Sequence, residues 1–236
     1  NAIATANSGS TPTAISADGE WVLFQSYATD LISGLIDTEG WYEDVFLYQQ
    51  STGLVKLVSR SASSVATTAN AGSIPTAISA DGEWVLFRSS ATDLMAGAVD
   101  NNEMADVYAY QRSTGVLSLV SGADTSRAIT ANETSDPAAI SADGEWLIFG
   151  SKATNLAVGV TDSNGWPDVF LYERNTGAVS LVSRSPRRQP AHPTPPLSAP
   201  MESGCCFEAM RPIWWRGWPI VAFSKTCLFT KEARVW

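Results

Sequence analysis

A short apolar run that does not alternate with polar residues occurs three times along the chain. The run reads Trp21-Val22-Leu23-Phe24 in its first copy and returns, with small changes, from Trp84 and from Trp146. A strand with one face in water alternates apolar and polar side chains, whereas a strand covered on both faces is apolar throughout. The pattern therefore predicts three short strands, each lying inside a stack of sheets.

Each apolar run belongs to a longer repeat. The eight residues Ala-Ile-Ser-Ala-Asp-Gly-Glu-Trp are identical at 14–21, 77–84 and 139–146. Counted from Ile15 to Ile78 to Ile140, the spacing is 63 and then 62 residues. An identity of this length at a nearly constant spacing indicates tandem duplication of one structural unit.

The residues around the repeat predict four short strands in every copy. In the first copy, Pro12 is expected to precede a strand start, and Asp18-Gly19 to turn the chain into the run at Trp21. A long polar loop then leads to a third strand rich in β-formers, and a Ser-Thr-Gly turn leads into a fourth. The third and fourth strands are predicted at 44–48 and 54–59, 106–110 and 116–121, and 168–172 and 178–183.

Four joined strands that repeat about every 60 residues are typical of a propeller blade. We therefore predict an all-β fold, a partial β-propeller of three four-stranded antiparallel blades over residues 1–184, with blades at about 5–60, 68–122 and 130–184. A plain β-sandwich is the alternative, although it gives no reason for three copies. Closed propellers usually have four to eight blades, so we expect an open arc, self-association or missing blades.

The repeat resembles the TolB-like, WD-repeat-like β-propeller family of bacteria. The resemblance rests on Ile-Ser-Ala-Asp-Gly-Glu-Trp-Val-Leu-Phe, Ala-Thr-Asp-Leu, Asp-Val-Phe-Leu-Tyr and Ser-Thr-Gly, and it covers residues 5–184. Ala17, Ala80 and Ala142 stand where that family usually has proline. The resemblance implies a propeller fold and, since the repeats hold no cysteine, a periplasmic or secreted bacterial protein. It does not imply one function, because the family serves many roles.

The composition changes after residue 184. Residues 185–200 hold six prolines and predict an extended linker. Residues 201–236 hold three cysteines and four tryptophans and do not match the repeat. Three interpretations of this tail remain open: a segment foreign to the fold after a change of reading frame, a disordered native tail, or a membrane-interface or partner-binding segment around Trp214–Trp218.

Charge and hydropathy exclude two kinds of partner. Residues 1–184 carry 8 Lys and Arg against 21 Asp and Glu, while residues 185–236 carry 7 against 3. The acidic repeats would repel phosphates, so we expect no nucleic-acid partner. No apolar stretch approaches the roughly 18 residues of a membrane-spanning helix, so we expect no membrane span.

The sequence lacks the common catalytic motifs. It has no Gly-x-Ser-x-Gly, and its single histidine, His192, lies in the Pro-rich stretch, so a serine hydrolase site is not expected. The repeats also lack the His and Cys ligands of catalytic zinc. We therefore predict a non-catalytic binding or scaffolding module, not an enzyme, with a protein or glycan ligand. The alternative is a truncated propeller domain of a larger peptidase-like hydrolase.

An acidic loop precedes the third strand of every copy. Carboxylate and amide oxygens on one tight loop suit calcium, which takes six to eight oxygen ligands. The alternative is a loop held by Asp and Asn side chains that bond their own backbone. We expect the second loop to bind least well, because Glu103 replaces the glycine of the others. The candidate ligands are Asp37, Glu39 and Asp44; Asp100, Asn102 and Asp106; and Asp162, Asn164 and Asp168.

Overall fold

The computed structural model describes residues 4–185, together with the backbone of residues 214–215 and 218–219. Residues 4–185 form three four-stranded sheets and one two-stranded ribbon. The strands in chain order are β1 (Ser10–Ile15), β2 (Trp21–Ser26), β3 (Asp44–Gln49), β4 (Val55–Leu57), β5 (Ser73–Ile78), β6 (Trp84–Ser89), β7 (Asp106–Gln111), β8 (Val116–Leu119), β9 (Gly122–Ala123), β10 (Ser126–Thr130), β11 (Ser135–Ile140), β12 (Trp146–Ser151), β13 (Asp168–Glu173) and β14 (Ala178–Leu181).

Each four-stranded sheet is an antiparallel meander in chain order. Its strand orders are β1-β2-β3-β4, β5-β6-β7-β8 and β11-β12-β13-β14. The two central strands pair in the same register in all three sheets: Trp21 lies opposite Gln49, Trp84 opposite Gln111, and Trp146 opposite Glu173. The predicted all-β fold of three four-stranded antiparallel blades is confirmed.

The first strand of each blade begins earlier than the sequence predicted. Strand β1 starts at Ser10, so Pro12 lies inside it rather than before it. Proline is tolerated there because β1 is an edge strand, and the register shifts between Pro12 and Ala14. The same shift follows Pro75 and Pro137.

The last strand of each blade is shorter than predicted. Strand β4 ends at Leu57, whereas the prediction ran to Ser59. Beyond Leu57 the chain stays bonded to the start of β3, because the Val58 amide donates to the Val45 carbonyl at 2.8 Å and the Ser59 hydroxyl accepts the Val45 amide at 2.9 Å.

The ribbon formed by β9 and β10 had no counterpart in the prediction. It lies between the second and third blades in the chain, and its two strands pair antiparallel. A Cβ added at Gly122 would lie 3.0 Å from the Arg127 Cα, so the ribbon is tightly closed. At the same position of the repeat the first blade has Arg60, which forms only an isolated antiparallel bridge with Thr68.

Two clusters of buried side chains fill the spaces between successive blades. We call the face of a blade that packs on the next blade its outgoing face, and the opposite face its incoming face. The first cluster joins Leu23 and Val45 of the first blade to Phe87 and Tyr110 of the second. The second joins the outgoing face of the second blade to the incoming face of the third in the same way. Each fully buried side chain of this kind stabilises the fold by roughly 1.5–3 kcal/mol.

One contact recurs at both interfaces between blades. The tryptophan that opens the second strand of a blade lies against a glycine turn of the next blade. A Cβ added at Gly82 would lie 2.4 Å from Trp21 Cδ1, and one at Gly144 would lie 2.4 Å from Trp84 Cδ1. An arginine of the next blade covers the other side of the indole, with Arg112 4.2 Å from the Trp21 ring centre. Arg174 covers Trp84 at the same distance.

The chain divides into two compact units, Asn1–Pro186 and Arg187–Trp236. In the second unit, β15 (Trp214–Trp215) and β16 (Trp218–Pro219) pair antiparallel. The rest of the predicted linker and tail lies outside the described residues. Within the part of the chain that is described, there is no helix with the length and apolar character needed to cross a membrane.

Candidate functional site

The acidic loops between the second and third strands of the blades are closed by their first aspartate. Asp37 Oδ1 accepts the backbone amides of Glu39 and Gly40 at 3.1 and 2.9 Å. Asp100 and Asp162 accept the amides two and three residues further on at 2.8 to 3.1 Å. These bonds are those of an Asx turn, in which the side chain takes the place of a backbone acceptor.

The fourth residue of each loop has a left-handed backbone. The φ angles are 60° at Gly40, 55° at Glu103 and 68° at Gly165. Glycine adopts this conformation without strain, whereas glutamate does so at a cost. Glu103 is the only residue other than glycine with a positive φ in the described part of the chain. The second loop is therefore the strained one.

The middle positions of the loops have different surroundings. Asn102 Oδ1 accepts the Met104 amide at 2.7 Å, and Asn164 Oδ1 accepts the Trp166 amide at 2.6 Å. The Asn102 amide group also donates to the Ala131 carbonyl at 2.6 Å. Glu39 is exposed to solvent. The oxygens proposed as second ligands are thus used by the backbone in two loops.

The last aspartate of each loop starts the third strand and holds a serine. Asp44 Oδ1 accepts the Ser59 hydroxyl at 2.8 Å, and Ser59 in turn accepts the Val45 amide at 2.9 Å. Asp106 with Ser121, and Asp168 with Ser183, repeat this arrangement. The aspartate therefore ties the start of the third strand to the chain that leaves the fourth.

Two of these aspartates are buried carboxyl groups with raised pKa values. Burial raises the pKa of Asp44 and of Asp106 to about 7, against an ordinary value of 3.8. The negative charges of Asp37 and Asp100 act in the same direction, while the serine hydroxyls oppose it. Asp106 Oδ2 is buried without a hydrogen-bond partner among the described residues.

The loops do not gather their carboxylates around one point. Among the described residues, no group of three or more His, Cys, Asp or Glu side chains is arranged to hold a metal ion. The nine predicted ligands instead lie in three separate loops, one to each blade. The calcium site stays a prediction.

A groove lies beside the first acidic loop, at the junction of the first and second blades. Its volume is about 400 Å³, and its wall includes Tyr27, Trp41 and Tyr42 beside the charged Glu43 and Arg88. Trp41 is 87% exposed, and Tyr27 and Tyr42 are also exposed. The groove therefore presents three aromatic side chains to solvent next to one acid and one base.

Hydrogen bonds and packing fix the polar wall of the groove. Glu43 accepts the side-chain amide of Gln25 at 2.8 Å, and Arg88 donates to Asp136 at 2.6 Å. The Tyr42 ring packs closely on the backbone of the second blade, since a Cβ at Gly72 would lie 3.3 Å from it. The groove is thus held by both blades.

This groove was not among the sites predicted from the sequence. A signal was present, because Trp41 stands in a polar loop that predicts no strand. Trp41, Met104 and Trp166 occupy the same position of the loop in the three blades, and all three are exposed. Each blade therefore presents one exposed apolar side chain at the same position of this loop.

No family model and no curated protein matches the chain. Solved structures do match. A protein from Agrobacterium tumefaciens assigned as TolB is 15% identical, with a TM-score of 0.41 over 73% of this chain and 48% of its own. A prolyl endopeptidase is 11% identical, with a TM-score of 0.39 over 74% of this chain and 22% of its own. An oligogalacturonate lyase in complex with manganese is 13% identical, with a TM-score of 0.33 over 76% and 37%.

These neighbours are propeller-like proteins, as the TolB-like resemblance of the sequence implies. At such identities the likeness concerns the fold alone. The chain spans about half the length of the first of them and less of the other two.

Proposed function

We propose that this chain is a non-catalytic binding module, which holds a peptide segment of a partner protein in the groove between its first two blades. The observation that carries the proposal is the groove itself, with Trp41 almost fully exposed beside Tyr27 and Tyr42. Tryptophan, tyrosine and arginine are enriched among the few residues that dominate the binding energy at protein interfaces. An exposed set of these residues therefore favours a protein ligand.

The shape and polarity of the groove support an extended segment. Arg88 and Glu43 place a donor and an acceptor among the aromatic rings, which would fix the orientation of a bound backbone. Met104 and Trp166, at the equivalent positions of the other two blades, are exposed as well. A glycan is the second candidate ligand, and the proposed location remains the periplasm or the outside of a bacterial cell.

Selection from a displayed library of random peptides would test the proposal, with the full chain as the target. Peptides that bind the wild type should bind Trp41→Ala at least tenfold more weakly, because removing a central aromatic side chain costs about 1.4 kcal/mol or more. Val158→Ala is the control, since Val158 is 86% exposed on the third blade and outside the groove. Selected peptides that bind Trp41→Ala and the wild type equally would contradict the proposal.

A glycan array probed with the same three proteins separates the two ligand classes. If a sugar binds the wild type but not Trp41→Ala, and no peptide is selected, the ligand would be a glycan and not a peptide. The hydrolase alternative makes a different prediction, which is a catalytic domain in the uninterrupted reading frame around this segment. Sequencing the gene on both sides would decide that question.

We also propose that calcium binds at the acidic loops. The buried Asp106 Oδ2, which lacks a partner among the described residues, supports this, because a cation would offset the cost of ionising that carboxyl group. Calcium should raise the melting temperature and a chelator should reverse the change. Asp162→Ala should reduce the shift, while Asp143→Ala, a hairpin-turn control, should not. An unchanged melting temperature in the wild type would show that the loops are structural only.

A further inference from the structure

The third blade exposes an outgoing face that the other two blades bury. Trp21 and Trp84 are 6% and 9% exposed, whereas Trp146 at the same position is 41% exposed. The neighbouring positions of this face show the same difference in exposure. Leu23, Val45 and Val58 are fully buried in the first blade, while Ile148, Val169 and Val182 are exposed in the third.

The first blade exposes the matching incoming face. The turn glycines Gly82 and Gly144 each receive the tryptophan of the preceding blade, but a Cβ added at Gly19 would meet no atom within 4 Å. Ile15 is exposed, and Val22 and Phe24 are only partly buried, whereas Val85 and Phe87 of the second blade are fully buried. The two ends of the stack are therefore the two halves of one interface.

The backbone carries the same complementarity. The Ala17 amide donates to the Ala80 carbonyl at 2.8 Å, and the Ala80 amide donates to the Ala142 carbonyl at 2.9 Å. Among the described residues, this series leaves the Ala142 amide without an acceptor and the Ala17 carbonyl without a donor. A blade that continued the series would satisfy both groups.

A second backbone contact also occurs at both interfaces, with the donor in the following blade. The amides of Ser73 and Ser135 donate to the carbonyls of Glu43 and Ala105 in the preceding blade, at 2.8 and 2.9 Å. The equivalent groups at the ends of the stack are the Ser10 amide and the Pro167 carbonyl. These groups would meet if the first blade followed the third.

A side chain adds a third contact of this kind. Arg60 of the first blade donates to the Gly115 carbonyl of the second at 2.8 Å. Arg184 is the same residue of the repeat and is exposed, and Gly53 is the position equivalent to Gly115.

We propose that a second copy of this chain docks the incoming face of its first blade on the outgoing face of the third, with Trp146 against Gly19 of the other copy. The reciprocal contact closes the ring. Two copies supply six blades, which lies within the four to eight of closed propellers, whereas three copies would supply nine. The occupant is assigned by continuity, since the tryptophan–glycine contact and both backbone hydrogen bonds of the new joint already occur twice within the chain, and the arginine contact occurs once.

The joint is expected to be weaker than the interfaces within the chain. Gln50 stands where Arg112 and Arg174 cover a tryptophan, so Trp146 would lack the cation–π contact that its equivalents have. The dimer should therefore dissociate on dilution, while the interfaces within each chain remain formed.

Sedimentation velocity of the full chain over a concentration series tests the proposal. The wild type should shift with concentration from 25.2 kDa to twice this mass. Trp146→Glu should stay monomeric, because it places a charge on the joint. Gly19→Asn should also stay monomeric: Asn tolerates the φ of 75°, and its side chain has space until a second copy arrives.

Matched substitutions away from the joint control for general damage. Val158→Glu places a charge on an exposed part of the third blade, and Gly97→Asn repeats the glycine change at a φ of 79° with no atom within 4 Å. Both should dimerise as the wild type does. Melting curves of all four variants show whether each is folded.

Mixing the two monomeric variants tests the direction of docking. Trp146→Glu retains Gly19, and Gly19→Asn retains Trp146, so a mixture can form one intact joint and should regain a dimer that neither variant forms alone. A wild type that is monomeric up to its solubility limit would overturn the proposal. A dimer that persists in both variants would also overturn the proposal. The outgoing face of the third blade would then be covered by other blades or by the C-terminal segment, or it would not be used.

Discussion

At the scale of single residues, the buried aspartates that start the third strands give the fold an unusual dependence on pH. The pKa of Asp106 in the folded chain is about 7, above its ordinary 3.8. The native state therefore binds more protons than the unfolded state between these values, and the free energy of unfolding should fall as the pH rises from about 4 to about 7. Asp44 acts in the same direction.

Asp106→Asn isolates this contribution. Asparagine keeps an oxygen that can accept the Ser121 hydroxyl, but it does not ionise. The loss of stability between pH 5 and pH 8 should be smaller in the variant than in the wild type, as measured by urea denaturation at both values. Asp143→Asn is the control, because the hydrogen bond from Ser141 holds the pKa of the Asp143 carboxyl below its ordinary value. Equal pH dependence in wild type and Asp106→Asn would contradict the assignment.

At the scale of elements, the stacking of blades depends on the glycine that receives each tryptophan. Gly82→Ala places a methyl group where the Trp21 ring lies, in addition to the strain of a φ of 67°. Gly97→Ala has the same kind of strain, at a φ of 79°, but no close atom. We expect about 1–2 kcal/mol of destabilisation from strain in both variants, and a further 1–3 kcal/mol in Gly82→Ala from the clash.

Equilibrium denaturation of both variants gives the comparison. The difference between them reports the Trp21–Gly82 contact alone, since the backbone strain is shared. Similar free energies of unfolding for Gly82→Ala and Gly97→Ala would mean that the tryptophan moves away without cost, and that this contact does not hold the blades together.

The elements themselves were largely predictable from the sequence. The run from Trp21 is apolar throughout because Leu23 lies on the outgoing face of the blade and Val22 on the incoming face. The repeat shows that the same pattern occurs in all three blades. The edge position of Pro12 was missed, because proline inside a strand is allowed only where the neighbouring strand is absent, which the sequence does not state. The ribbon of β9 and β10 was also missed; its strands are only two and five residues long.

The candidate site was less predictable for a physical reason. The acidic loops are local, so their Asx turns follow from residues two and three apart along the chain. The groove is not local: Trp41 and Arg88 come from different blades and meet only when the blades stack. The burial that raises the pKa of Asp106 depends on tertiary packing in the same way.

At the scale of the whole molecule, one kind of interface between blades occurs twice within the chain, and the proposed dimer would repeat it between chains. The acidic blades carry 8 basic against 21 acidic residues, yet the contacts of the joint are apolar side chains, backbone groups and one arginine. Raising the salt concentration should therefore favour the dimer slightly by screening the repulsion of the two copies. Sedimentation in low and high salt measures this effect.

The most direct test of the account is hydrogen exchange at three equivalent amides, those of Ala17, Ala80 and Ala142, followed by NMR in dilute and in concentrated protein. We expect slow exchange at Ala17 and Ala80 under both conditions, because each donates to the next blade within the chain. At Ala142 we expect fast exchange in dilute protein and slow exchange in concentrated protein, because a second copy supplies the carbonyl of its Ala17. Fast exchange at Ala17 and Ala80, or an Ala142 amide whose exchange does not depend on concentration, would contradict this use of the blade interface.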